Sequence, residues 1–216
     1  MTLNDVISQL RYGELRSLAV KDDNIAIASY VNLALIALYG RFTLKMGEQL
    51  IPMENNIVDY TLNSDLLIID SIYDENGNEF HLDDETSLFS ILQSSYNTIQ
   101  VPNPVTGSTL SIIYNQAPDT IIYDDTDAGT IAASLALTIP IPPQLLEALL
   151  HYIGYRAHGS VNGDIKAENN THYMRYEAAC KRIDDLGLIR RVVPPAYVNQ
   201  QESITETDTL YQDPDL

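Results

Sequence analysis

The sequence predicts an α+β protein: a four-helix bundle with a β-sheet module inserted between the second and third helices, and an extended C-terminal arm. Three observations predict it. Apolar spacing switches from a period of about 3.6 to short alternating runs near residue 43, and back near residue 140. The interval between Lys45 and Arg156 contains no Lys or Arg and holds 16 of the chain's 30 acidic residues. Its flanks are nearly neutral, with five bases against four acids over 1–45 and seven against five over 156–191. The expected domains are a discontinuous helical bundle of 1–45 with 140–187, an inserted β module of 46–139, and an arm of 188–216. A charge run of one sign is usually a solvated face. Here its borders lie close to the change of period, which argues for a separate structural module.

The first helix is expected over 3–19. Thr2 or Asn4 supplies a cap, because a short polar side chain accepts otherwise unpaired N–H groups. Leu3, Val6, Ile7, Leu10, Leu15 and Leu18 form its apolar stripe, with one slip near Gly13. Asp22, Asp23 and Asn24 offer caps for a second helix, Ile25 to Phe42, whose Leu, Ile and Ala residues crowd nearly every face. Such a helix is expected to be mostly buried. From about 43 to 139 the chain reads as strands: TLKMGEQLIPM, IVDYTLNS, LLIIDSIYD, FHLDD, TIQVP and STLSIIYNQAP, bounded by Asn, Asp, Gly and Pro. Asn76-Gly77 signals a type I′ hairpin, and Pro104 to Gly107 a turn. Ile121 to Tyr123 and Leu135 to Ile139 read as two more strands, joined by an acidic loop. IPIPP then stops the sheet. A third helix is expected over 144–158, with Pro142 and Pro143 at its start, where a missing N–H is harmless. After a loop at Gly159–Gly163, Asp164 caps a fourth helix over 165–186, which Gly187 closes.

Composition narrows the function. At 216 residues the chain can bury roughly 70% of the surface it exposes when unfolded, so it needs no covalent staples. A single cysteine, Cys180, excludes an internal disulfide framework and a cysteine-only zinc site. The opening MTLNDVISQL lacks the basic and apolar regions of a secretory leader, and no stretch reaches the roughly 18 apolar residues of a membrane span. A net charge of −18 disfavours binding to nucleic-acid backbones and to anionic membranes.

Candidate chemical sites are few. Asp74, Asn76, Asn78 and Glu85 match positions 1, 3, 5 and 12 of a calcium loop, but Glu79 stands where its sharp turn needs Gly. A hairpin is the expected reading. Asp124, Asp125 and Asp127 form a second acidic cluster, in surroundings that read as a loop rather than a rigid cleft. The histidines are His81, His151, His158 and His172. His151 and His158 share a helix face two turns apart, too far to hold one metal without a third ligand between them. Cys180 lies on an apolar stripe and reads as a packed thiol. There is no phosphate-binding glycine loop. Asn169-Asn170-Thr171 matches a glycosylation acceptor, which carries weight only on a secretory route. Fourteen tyrosines without tryptophan suit either sheet and core packing or a partner-facing surface. The expectation is no catalytic residue, no cofactor and no metal.

The helices carry a further pattern. Asn32-Leu-Ala34-Leu-Ile-Ala-Leu38-Tyr39-Gly-Arg41-Phe42 resembles the second helix of head–tail adaptor proteins of tailed phages. Tyr176-Glu177-Ala-Ala-Cys180-Lys-Arg-Ile183-Asp-Asp-Leu186-Gly187 looks like their closing helix, and Leu3 to Leu10 like their opening one. A β module set between two helix pairs is similar to tail tubular protein A of short-tailed phages. The resemblance implies a virion structural protein at the head–tail junction, made in the host cytoplasm. It implies a homo-oligomeric ring, usually of twelve copies, between the portal protein and the tail nozzle protein. It implies no catalysis and no cofactor. An acidic ring also suits a channel through which viral DNA passes without specific binding, because like charge keeps DNA off the wall.

Two other readings are open on sequence. One is another phage tail structural protein, such as a nozzle or fibre-base component. The other is a glycoside hydrolase working through a carboxylate pair of the acidic module. The segment after Gly187 is expected to act as an arm against a neighbour or the portal. Its anticipated contact residues are Leu188, Ile189, Arg190, Arg191, Val192 and Val193 at the root, then Tyr197, Leu210 and Tyr211.

Overall fold

Five α-helices and two antiparallel β-sheets make up the computed structural model, which describes residues 1–84, 90–162 and 171–192. The chain is α+β, but the expected four-helix bundle with strands out to residue 139 is not what forms. The described residues group into a helical unit, Met1–Leu44 with Pro118–Arg191, and a sheet unit, Lys45–Ala117 with Val192.

In the helical unit, α1 (Leu3–Tyr12) is opened by a reciprocal cap: Thr2 accepts from the Asp5 amide while Asp5 accepts from the Thr2 amide. It is shorter than expected. Gly13 ends it, and the stripe is continued by a turn that still buries Leu15 completely. A short 3-10 turn, Ala19–Asp22, leads to α2 (Asn24–Arg41), capped by Asp23. α2 buries Ile27, Val31, Ala34, Leu35 and Leu38, each large aliphatic group contributing about 1.5–3 kcal/mol.

The chain returns to this unit at Pro118. The strands expected at 121–123 and 135–139 are absent. The backbone N–H and C=O of Ile121 are both taken by the Asn32 side chain, at 2.8 Å each, so they do not enter a ladder. Asp127 caps α3 (Ala128–Leu135) by accepting from the Gly129 and Thr130 amides. The Ala-rich run behind that cap has high helix propensity and carries the helix to Leu135, with Ala136 as its C-cap, which removes the first residues of LALTI from any strand. What is left of the second expected strand is one bridge, Thr2 to Thr138. A 3-10 turn, Pro143–Leu145, precedes α4 (Leu146–Asn162), which runs through the position expected to be a loop at Gly159. Asp164, the anticipated cap, lies outside the described residues. α5 (Thr171–Asp185) ends in a Schellman motif. Gly187 takes φ +60°, its N–H donates to Asp184 O, and the Leu188 N–H donates to Ile183 O.

The sheet unit is built from β1 (Met46–Pro52), β2 (Asp59–Thr61), β3 (Leu66–Tyr73), β4 (Glu79–Phe80), β5 (Leu92–Ser95), β6 (Thr98–Gln100) and β7 (Thr109–Gln116). One sheet has the order β1-β7-β3-β4, the other β2-β6-β5. β7 is central in its sheet, pairing Met46 with Asn115 on one side and Ile72 with Ile112 on the other. Leu110, Ile112 and Tyr114 of β7 meet Ile69 and Ile72 of β3 and Ile99 of β6 in one core that draws on both sheets. The β3–β4 connection is not a type I′ turn. Gly77 alone takes a positive φ there, because Asp74 reaches across a longer loop and accepts from the Asn76 and Asn78 amides at 2.8 Å each.

Candidate functional site

The two stretches that carry the adaptor resemblance meet at Arg41. Its guanidinium closes α2 and pairs with Glu177 at 2.7 Å and Asp184 at 3.7 Å, both on α5. It also lies 5.9 Å from the ring centroid of Tyr176. Other polar groups of α2 act as locks on the returning chain. Asn32 clamps Ile121, and the Tyr39 hydroxyl donates to Pro140 O at 2.6 Å. Burial pushes the Tyr176 hydroxyl well above its ordinary range and the Cys180 thiol up to about 11. Cys180 is thus a packed thiol, as its place on the apolar stripe implied.

Six of the fourteen tyrosines form two contrasting groups. Tyr152, Tyr155, Tyr173 and Tyr176 form a chain of ring contacts between α4 and α5, with neighbouring centroids 5.0–5.9 Å apart. Tyr12 and Tyr96 stand out in solvent, more than four-fifths exposed.

The acidic clusters are structural at the described positions. Hydrogen bonds from Asn78 and then Asn76 hold the Asp74 carboxyl below the usual carboxylate range, so its oxygens fasten a loop. Glu85, the last calcium position, lies outside the described residues. Asp124 accepts from Thr126, whose hydrogen bonds likewise lower its pKa, and Asp127 caps α3. None of these arrangements presents two carboxyls converging on a cleft.

The histidines gather in a way that spacing did not reveal. His81 is exposed in the sheet unit. His151 on α4 and His172 in the first turn of α5 both face Glu14, which follows α1. His151 Nδ1 lies 3.1 Å from Glu14 Oε1, and His172 Nδ1 lies 2.6 Å from Glu14 Oε2. The His158 ring stacks on His172 at 4.6 Å and contacts the Glu14 carbonyl at 3.0 Å. Burial lowers the His172 pKa, Glu14 opposes that shift, and His158, His151 and Arg175 add to it. Next to the cluster, Glu147 is held below the usual carboxylate range by a hydrogen bond from Arg182. The missing signal was Glu14, which the sequence places inside the expected first helix as an ordinary acid.

Three surfaces face outward. On α2, Ile25, Ser29, Leu33, Ile36 and Gly40 form an exposed stripe on a helix that is apolar almost all round. Arg11, Tyr12, Arg16, Lys21 and Asp22 line a cleft of about 410 Å3, a basic spot in an acidic chain. Of the anticipated arm contacts, Leu188, Arg190 and Arg191 are exposed, Ile189 is half-buried and Val192 is buried. The arm's root is pinned internally: the Thr43 N–H donates to Arg190 O at 2.9 Å, and Phe42 bridges to Arg191. Val193, Tyr197, Leu210 and Tyr211 lie outside the described residues.

Polar locks inside, with apolar and aromatic surface outside, are the make-up of a structural protein that works by docking to partners. Comparison with known families agrees, since residues 1–197 match the family model described as SU10 adaptor protein. The chain belongs to that family, a family of phage structural adaptors and thus of virion components that interact with portal and tail parts. No curated protein matches the chain. Among the described residues, no helix is long and apolar enough to cross a membrane.

Proposed function

We propose that the protein is the head–tail adaptor of its virion, assembled as a closed ring of about twelve copies between the portal and the tail nozzle, and that it catalyses no reaction. The family match over 1–197 is the observation that carries this reading. The exposed stripe of α2 supports it, because a flat apolar helix face repeated around a ring can be covered by the next copy. The unbroken acidic interval supports a channel wall that does not retain DNA. The basic cleft at Arg11, Arg16 and Lys21 offers each copy a landing place for a neighbour's acids. The exposed root residues Leu188, Arg190 and Arg191 and the acidic sequence behind them, with five acids and no base over 199–216, supply the portal contact. Fully extended, the 29 residues from 188 reach roughly 95 Å, enough to cross a neighbouring subunit.

Free chains at −18 repel one another, so the ring forms on the portal rather than in dilute solution. The test is co-expression with the portal, followed by negative-stain imaging. Axial rings at the portal's narrow end are expected, and deletion of 192–216 leaves a folded chain that no longer docks stably. Normal docking by the truncated chain would remove the arm from the account. A portal that recruits no copies would overturn the ring.

A further inference from the structure

We propose that Glu14, His151 and His172 form a binding site for a divalent transition-metal ion of the zinc type, ligated by Nδ1 of each histidine and the carboxylate of Glu14. The three residues come from three separate parts of the helical unit: the turn after α1, the middle of α4 and the first turn of α5. Their ligand atoms all lie within 4.8 Å of one another, and each side chain is largely buried. With metal–ligand bonds of about 2.0–2.2 Å, tetrahedral ligand atoms sit about 3.3 Å apart. The two histidine–carboxylate distances, 3.1 Å and 2.6 Å, lie within about 1 Å of that spacing, and the remaining pair, which falls within the 4.8 Å span of the cluster, has at most about 1.5 Å to close. Two imidazoles with one carboxylate suit zinc and its neighbours, whereas an all-oxygen set would suit calcium or magnesium.

Two further features fit a metal site. The Nδ1 atom of His151 is buried and makes no hydrogen bond, although it faces Glu14 at 3.1 Å. The ring's other nitrogen, Nε2, looks toward Glu147 Oε1 at 3.7 Å, and Arg182 fixes that carboxylate. At 3.7 Å this is an electrostatic contact rather than a hydrogen bond; an outer carboxylate on the far side of the ring favours the proton on Nε2 and leaves the Nδ1 lone pair for a metal. The second feature is Gly154, in the middle of α4, where glycine costs about 1 kcal/mol relative to alanine. A Cβ there would stand 2.9 Å from His172 Nδ1 and 3.3 Å from Glu14 Cβ. The helix thus gives up a side chain at the one place where the carboxylate and the second imidazole must come together. A bound ion would tie α1, α4 and α5 together at a point where Arg41 does not reach.

The experiment is calorimetric titration of the full-length, chelator-stripped chain with Zn2+ in a large excess of Mg2+, which saturates non-specific acidic surface. The expected result is one Zn2+ per chain and a rise in Tm of about 5–10 °C at a hundredfold excess over Kd. Co2+ in place of Zn2+ should give a visible absorption band from nitrogen and oxygen ligation. His151→Gln and His172→Gln should each weaken binding at least tenfold. Glu147→Gln removes the carboxylate behind His151 together with its pairing to Arg182 and should weaken binding about tenfold, and His81→Gln should leave it unchanged. Failure of the wild-type chain to take up one Zn2+ saturably overturns the site whatever the variants do. So does undiminished binding by the His151→Gln/His172→Gln double variant.

Discussion

The helical unit and the sheet unit solve the same problem with different means. The helical unit is assembled from two distant pieces of chain, and specific polar contacts span the gap: Asn32 to Ile121, Tyr39 to Pro140, Arg41 to Glu177 and Asp184. Apart from Val192, the described residues of the sheet unit are one continuous segment with eleven acids and one base, Lys45, over 45–117. With so little positive charge it relies on its apolar core and on side-chain-fastened turns. The lesson is that in a discontinuous unit directional locks specify which distant segments meet, while in a continuous one burial and register suffice.

The largest effects should come from the two cores. Leu35→Ala and Ile112→Ala each remove a fully buried aliphatic group and should cost about 3 kcal/mol. Each should lower the unfolding transition of its own unit, as read by hydrogen exchange resolved along the chain; equal loss in both units would break the comparison. Next is Arg41→Gln. It leaves Glu177 and Asp184 without their cation, and with the guanidinium one-fifth exposed the loss should be about 1–2 kcal/mol, confined to the helical unit. Chemical denaturation with a probe on α5 measures it.

Salt should sharpen the contrast. Raising ionic strength from about 0.05 to 0.5 M shortens the screening length several-fold. It should therefore stabilise the self-repelling sheet unit more than the ion-paired helical unit, again seen in segment-resolved exchange. The smallest effect is acidic. Asp74 has its carboxyl held below the usual 3.8 in the fold. Its contribution is therefore present above that value and is lost as pH falls through the lower folded one. An Asp74→Ala variant should lose that acid dependence and loosen only the β3–β4 loop, visible as a local rise in amide exchange.

What the sequence disclosed, and what it hid, follows the same division. The caps at Thr2 and Asp23, the buried α2 and the strands β1, β3 and β7 all carry strong local patterns. β5 carries none, because all four of its residues are exposed and no alternation results. α3 is hidden because its first residues read as the end of an acidic loop and its last, Leu135, as the start of the alternating LALTI, while the deciding cap at Asp127 looks like one acid among several. The placement of the sheet module went wrong with it. Of the functional features, the adaptor resemblance was legible in the two stretches that Arg41 joins. The Glu14 cluster was not, since residues 14, 151 and 172 share no local spacing and meet only through packing.

The most direct test of the adaptor assignment is a cryo-EM reconstruction of the virion with this chain located in the map. The account predicts a closed ring on the tail axis, seated against the portal, with the α2 stripe buried between adjacent copies and the acidic module facing the channel. One or a few copies placed away from that axis would contradict it.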